Sequence, residues 1–387
     1  MQFSHLKTQP FKQKSWFERF SDQPHQLFFA STLFFAFYTM IGTFLSLIGK
    51  EVDFSLLHSF GLLFGVFTNA FLGFLMTVIP RYSTSLPIPQ QTYLFVWIAL
   101  QIGTLLTLFG FVLLGKMLVV GSLVATVAVF YKVIKRGKSL DKKESYLLSA
   151  LVFLGAMLLL GEIVFAINLS ILIFYGYLLN VVFLVALKMV PNFYSVYTQK
   201  PKWQKPKYIL EFSLLLFLSI GVVSQFELLF LSKILASIAL VFFGYIVLNL
   251  NIYGKTPPII LIMVVSFIWF YVGVIFYFVE TVLEIYTMKL SLHTFALGFV
   301  LNLLIGFGSR VTMGHAVPPL LIVADRFLVG LFVLMQIVIV SRVLGSLFYA
   351  SEINFFMGFF HLSSTLWIVL FLGWGIRYGK TILRIAR

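Results

Sequence analysis

The sequence predicts an all-α, polytopic membrane bundle of twelve transmembrane helices, and three observations carry that prediction. Of 387 residues, 60% are hydrophobic and 11% charged, with a mean hydropathy of +1.02; a water-soluble domain carries about a quarter charged residues. The apolar residues gather into twelve runs, most near the ~20 residues that a helix needs to cross a bilayer. Basic residues stand between those runs, at alternate ends. Alternation with a period of two is absent, which argues against a barrel. The helix is then the structure that satisfies backbone polar groups in lipid.

Taken in order, the spans read 27–49, 56–80, 92–114, 117–133, 146–168, 170–190, 209–231, 234–253, 258–279, 290–310, 318–340 and 354–376. The first follows a basic, aromatic-rich leader, residues 1–26, which is expected to lie on the membrane surface. Its apolar run is too long for the core of a cleavable signal peptide. No connection is long enough for a soluble domain, because the longest polar one runs only from 191 to 208. Residues 27–387 therefore read as one transmembrane domain, with the lipid bilayer as its partner.

Orientation follows from charge. With the amino terminus cytoplasmic, Lys7, Lys12, Lys14 and Arg19, the "YKVIKRGKSLDKKE" and "QKPKWQKPK" loops and the terminal "RYGKTILRIAR" all fall inside. All but five of the 28 lysines and arginines do so, the exceptions being Lys50, Lys116, Lys233, Lys289 and Arg342. This is the positive-inside pattern for a multi-pass protein with both termini cytoplasmic. The net charge of +15 thus reports orientation and does not point to nucleic acid.

Cysteine is absent, which removes disulfides, thiolate-bound haem, iron–sulfur clusters and cysteine–zinc sites. Any metal must use histidine, methionine or oxygen ligands. No Walker motif, serine triad or paired zinc-protease histidines is present.

Internal similarity narrows the search. Helix 2 carries "HSF", then "NAFLGF" and "VIPRYS"; helix 10 carries "HTF", then "NLLIGF" and Arg310; helix 6 ends "MVPNFYS". Helices four apart share a pattern, which is consistent with three pseudo-symmetric four-helix units. His58 and His293 lie at similar depth, and His361 falls in the first turns of helix 12, so the three imidazoles are expected in one outer layer. Ionisable side chains in a membrane helix are costly and mark functional sites by default. The matched pair His58 and His293 points to axial ligation of a haem, since histidine is its common ligand. Gly65 and Gly73 on helix 2, with Gly298 and Gly306 on helix 10, would let a flat ring approach; ordinary small-residue packing explains them equally well.

The remaining polar candidates have weaker assignments. His361 reads as a ligand to a second metal such as copper or as a core hydrogen-bonding group. His315, in "SRVTMGHAVPP", belongs to the opposite face with Arg310, as a structured inner loop or a proton inlet, and Arg81 closes helix 2 on that face. Asn69 and Asn302 sit roughly 16 and 13 Å along their helices from the histidines, where buried amides commonly glue helices together. Glu162 and Asp325 are candidate proton relays. Arg342, placed where helix 11 meets the outer face, would meet a carboxylate of the bound group.

These residues resemble the NnrS family of polytopic membrane proteins of bacterial nitric oxide metabolism and nitrosative stress. The resemblance rests on "PHQLFF", "LLHSFGLLFGVFTNAFLGFLMTVIPRYS", "LKMVPNFYS", Trp367 and, most specifically, "LHTFALGFVLNLLIGFGSRVTMGHAVPP". It implies a bacterial inner-membrane protein containing a b-type haem and copper, with nitric oxide or a redox partner as what it meets. It is also similar in outline to the catalytic subunit of haem–copper oxidases, where histidines on helices 2 and 10 ligate a low-spin haem; His58 and His293 match those positions. The chain departs from the family in reading His58-Ser59-Phe60-Gly61-Leu62 where members show His-Ala-His-Glu-Met. Lys188 stands where an arginine is expected, and helices 6 and 7 lack histidine, so an oxidase-type copper site cannot be built. Haem is therefore better supported than copper, and whether the chain turns over a substrate is left open. The rival reading is a transporter for a metal, haem or small anion, for which helices broken at the midplane would be diagnostic.

Overall fold

The computed structural model describes residues 14–385, all helix and connecting loop without a strand among them. His5, Lys7 and Lys12 lie outside those residues. After a single short helix, Trp16–Phe20, come α1 Pro24–Leu47, α2 Ser55–Tyr82, α3 Gln90–Leu108, α4 Val112–Arg136, α5 Lys143–Phe165 and α6 Ser170–Thr198. The second half comprises α7 Ile209–Gln225, α8 Leu229–Asn249, α9 Pro258–Val282, α10 Leu290–Gly314, α11 Arg326–Ala350 and α12 Phe356–Ile382. Each expected span has its helix. Eleven are long and apolar enough to cross a membrane; α7, at 17 residues, sits at the lower limit for spanning a hydrocarbon core.

Helix ends follow local chemistry. α1 starts at Pro24, three residues before the expected boundary, because Gln23 and Gln26 form a reciprocal cap and proline suits the first turn. On the opposite face α1 and α3 close with Gly49 and Gly110 in the left-handed region, at φ 82° and 94°. There Gly49 and Lys50 donate to the carbonyls of Ser46 and Leu45, and Gly110 and Phe111 to those of Thr107 and Leu106.

The largest correction concerns α11, which begins at Arg326 and not at 318. Pro318 and Pro319 have no N–H to give a helix, and the Asp325 carboxylate caps the true start by accepting from Leu328 N–H at 2.9 Å. Arg342 consequently lies eight residues inside the end of α11, not at its outer end. Asp325, offered as a proton relay, spends its oxygens on this cap and on Arg377 at 2.8 Å. Glu162, the other, pairs with Lys116 at 2.5 Å and accepts from Leu169 N–H.

α2, α6 and α10 touch one another and form the centre. In α2 and α6 89% of the most apolar window is buried and in α10 78%, against 33–56% in the other long helices. Around them α12 packs on α1, α1 on α3, α3 on α4, α4 on α5, α7 on α8, α8 on α9, and α11 on α12.

The three central helices share a departure from α geometry. A π-helical segment, Ser55–Thr68, Phe174–Leu179 or Thr294–Leu301, leads in each to an asparagine. Asn69, Asn180 and Asn302 each donate their side-chain amide back to a glycine carbonyl four residues earlier: Gly65 at 2.9 Å, Gly176 at 3.1 Å and Gly298 at 2.5 Å. The wider turn loosens the backbone ladder, and the carboxamide supplies the missing donor. Inserted turns of this kind are seldom accidental. Sequence reading had Asn69 and Asn302 but missed Asn180; the signal was the spacing Gly-x-x-x-Asn, present once in each of helices 2, 6 and 10. This recurrence supports the three-unit reading.

Candidate metal centre

His58 and His293 are each the fourth residue of their helix, and the fold brings the rings together, 5.9 Å between centroids and tilted by 35°. Phe54, one turn before His58, stacks on it at 4.9 Å and 11°. Nδ1 of His58 is buried without a partner. His293 is more tightly held: its Nδ1 lies 2.8 Å from the Lys289 carbonyl, which must accept, so Nδ1 carries the proton and Nε2 is the accepting nitrogen, with Arg342 Nη2 at 3.4 Å. Orienting a ligating imidazole through its other N–H is the usual second-layer device.

The loop entering α10 aims its carbonyls at this point. Met288 and Lys289 both adopt left-handed backbone, φ 54° and 60°, a strained state for residues with a Cβ. The Met288 carbonyl accepts from Arg342 Nη2 at 3.0 Å. Arg342 also bonds Ser346 Oγ, points Nη2 at His293 Nε2 from 3.4 Å, and lies over the Phe360 ring at 4.3 Å. Glu280, on α9, anchors the same loop through Thr287 Oγ1 and the Ser291 N–H; sequence reading overlooked it because nothing local distinguishes it from other helix-end glutamates.

Does this pair fit a metal group? A metal–imidazole bond is about 2 Å long, so two rings facing one metal stand roughly 6 Å apart between centres, which the observed separation matches. The donor set is also right, two neutral-capable nitrogens in an apolar setting with a guanidinium beside them for a carboxylate. The glycines play another part. A methyl at Gly65 would meet the Phe35 ring at 2.9 Å, and one at Gly298 would meet Trp269 at 2.6 Å, so both give room to aromatic side chains of neighbouring helices. Gly73 and Gly306 face Phe28 and Met263 in the same way.

His361 does not complete a triad. Among the described residues no three His, Cys, Asp or Glu side chains gather as ligands; the ring stands edge-on to Phe44 at 5.8 Å, with Nδ1 buried and unpartnered. The expected layer of three imidazoles is thus a pair plus one. Asn69 and Asn302 glue helices, accepting from Gln101 of α3 at 2.7 Å and Gln336 of α11 at 2.9 Å. Lys188 pairs with Glu144 and covers Tyr82, and Arg310 lies over Phe193 at 4.1 Å.

At the opposite end a second pair forms that sequence reading did not join. His25, read only as a residue of the leader, lies 4.9 Å from His315 between centroids. Arg81 Nη2 is 2.7 Å from His315 Nε2. A guanidinium only donates, so that nitrogen accepts and Nδ1 carries the proton, 3.3 Å from the Val311 carbonyl. Both nitrogens of His315 are thereby engaged. Burial first, and then the charges of Arg81 and Arg384, hold its pKa below the ordinary 6.5. The clue available in the sequence was that both histidines sit on the same face under the charge-derived topology.

Comparison with known proteins agrees with this architecture. No curated protein matches the chain. The family model for the NnrS protein, however, matches residues 19–385, nearly everything described above, including both histidine pairs and all three asparagine-capped π-helical segments. The chain belongs to the NnrS family, and at family level it is a nitric-oxide-related multi-pass membrane protein.

Proposed function

We propose that the chain is a haem-binding inner-membrane protein of the nitric oxide response, both termini cytoplasmic, holding one b-type haem by His58 and His293. The single observation that carries this reading is the approach of these two rings to 5.9 Å from helices 235 residues apart in sequence. When bound, a haem supplies redox chemistry and an open or displaceable coordination position for a diatomic gas. The chain's own contribution is positional. Lys289 sets the tautomer of His293, Phe54 holds the plane of His58, and Arg342 presents a donor beside the pair for a carboxylate. Copper has less support, because His361 lacks companion ligands among the described residues.

The transporter reading keeps one observation in its favour, the irregular turns in all three central helices. Their freed carbonyls, however, are satisfied by asparagine side chains and are not left for a substrate.

The test is an optical spectrum of detergent-purified protein, oxidised and reduced, from haem-replete cells. Wild type is expected to show sharp reduced bands, and His58→Ala and His293→Ala each to broaden or lose them, whereas His361→Ala leaves them unchanged. A colourless wild type overturns the haem assignment and returns the question to transport.

A further inference from the structure

At the end of the bundle where the described chain begins and ends, a cavity of about 470 Å³ opens between the short Trp16–Phe20 helix, the loop from Ala316 to Leu320 and the last turn of α12. That volume is in the range of small-ligand pockets. Its charged lining is one-sided: Lys14, Arg19, Lys380 and Arg384 face a single carboxylate, Asp22. Asp22 is already paired with Lys14 at 2.8 Å. The Arg19 guanidinium donates to the Lys14 carbonyl, and the Lys380 ammonium has no hydrogen-bond partner among the described residues.

Arg384 separates this pocket from a mere basic surface. Its backbone is held in the left-handed region, φ 51°, a conformation that costs an arginine energy. One arm donates from Nη2 to the His315 carbonyl at 3.0 Å, while Nη1 is buried with no acceptor. A buried guanidinium N–H without an acceptor is expensive and calls for one. Behind it, Arg81 and the His25–His315 pair add donors and no negative charge. The loop is further closed by Trp16, whose Nε1 donates to the Leu383 carbonyl at 2.9 Å, tying the beginning of the described chain to its end around the cavity.

We infer that this pocket binds a phosphate-bearing anion, with Arg384 as its primary ligand and Lys380 and Arg19 as flanking charges. The chemistry allows two sources, the headgroup of an acidic phospholipid reaching the pocket from the bilayer surface or a soluble phosphate compound. A guanidinium fork fits a phosphate in two-point fashion, and the pocket lies at the end of the apolar α12 helix, where a headgroup could reach it. The inference is independent of the haem assignment.

The full chain is purified and studied in two arms. In nanodiscs of phosphatidylcholine with a minor fraction of phosphatidylglycerol, native mass spectrometry reads the acidic lipid retained per protein. In nanodiscs of phosphatidylcholine alone, calorimetry reads binding of inorganic phosphate and of pyrophosphate. Retention in the first arm assigns the lipid source, and saturable binding in the second assigns the soluble one. In either arm R384Q is expected to weaken binding about tenfold or more, with K380Q weaker by a smaller factor and R384K intermediate. The Lys380 ammonium has no hydrogen-bond or ion-pair partner among the described residues, so K380Q guards against a folding artefact at Arg384. Absence of binding in both arms overturns the proposal, and so does binding that neither R384Q nor K380Q diminishes.

Discussion

His315 shows how far one side chain's behaviour depends on its neighbours. Alone it would titrate near 6.5; here burial, Arg81 and Arg384 favour the neutral form. The facing titratable group is His25; the carboxylate that bears on Arg384 is Asp22, which is itself paired with Lys14. The sign follows from linkage. Below about pH 6.5 the unfolded chain binds a proton that the folded chain resists, so folding loses stability as pH falls and regains it as pH rises. Thermal unfolding in detergent is therefore expected to shift to lower temperature between about pH 7.5 and about pH 5.5, with a smaller shift in His315→Gln. An equal shift in the variant would remove His315 from the explanation. His293 presents the converse, a ring whose orientation is imposed by a carbonyl one turn away. The candidate pair was legible because both histidines head long apolar runs, whereas His25 was not, since it stands at the edge of the leader, before the first expected span.

At the scale of helices, close approach and shared hydrogen bonds decide stability. α3 and α4 pack through glycines: a methyl on Gly103 would stand 2.9 Å from both the Gly115 carbonyl and the Val119 nitrogen. These are backbone atoms and cannot swing aside. Gly103→Ala is expected to destabilise by about 1–3 kcal/mol, whereas Gly121→Ala, on α4 with nothing within 4 Å, should be neutral or stabilising by up to about 1 kcal/mol. Thermal or denaturant unfolding of the two variants side by side checks this. The asparagine-capped turns allow a second comparison. Gln336 accepts from Trp269 Nε1 and donates to Asn302, while Gln101 serves Asn69. Gln336→Leu strands the buried Asn302 and the half-buried Trp269 Nε1, and Gln101→Leu the buried Asn69, at about 1–3 kcal/mol each. The first variant is expected to unfold at the lower temperature. Sequence reading located most helix ends to within six residues; α6 runs eight residues past its expected end, and in α11 two prolines and an aspartate cap moved the start by eight positions.

For the whole molecule, topology is the testable property. The end of α12 and the start of the described chain lie together, joined by Trp16 and Leu383, as an even number of crossings requires. Two of the basic residues on the other face are neutralised locally, Lys116 by Glu162 and Lys233 by Glu284, each at 2.5 Å, which sharpens the charge asymmetry. The absence of cysteine makes accessibility mapping direct. Lys50→Cys is expected to react with a membrane-impermeant maleimide in intact cells, and Lys138→Cys only after lysis. The reverse pattern would place the termini outside.

Composition, run length and charge placement are enough to specify a helical membrane protein, its apolar helices and which end of the bundle His58, His293, His315 and His361 approach, because these are one-dimensional quantities that add along the chain. They also make His58 and His293 natural companions. Which face each helix turns inward, and which residue of one helix meets which of another, depends on rotation and register among twelve packed elements. Hence the separation of His361 from the pair, the meeting of His25 with His315, the placing of Arg342 deep in α11 and the glutamine partners of the asparagines emerge only once the helices are packed.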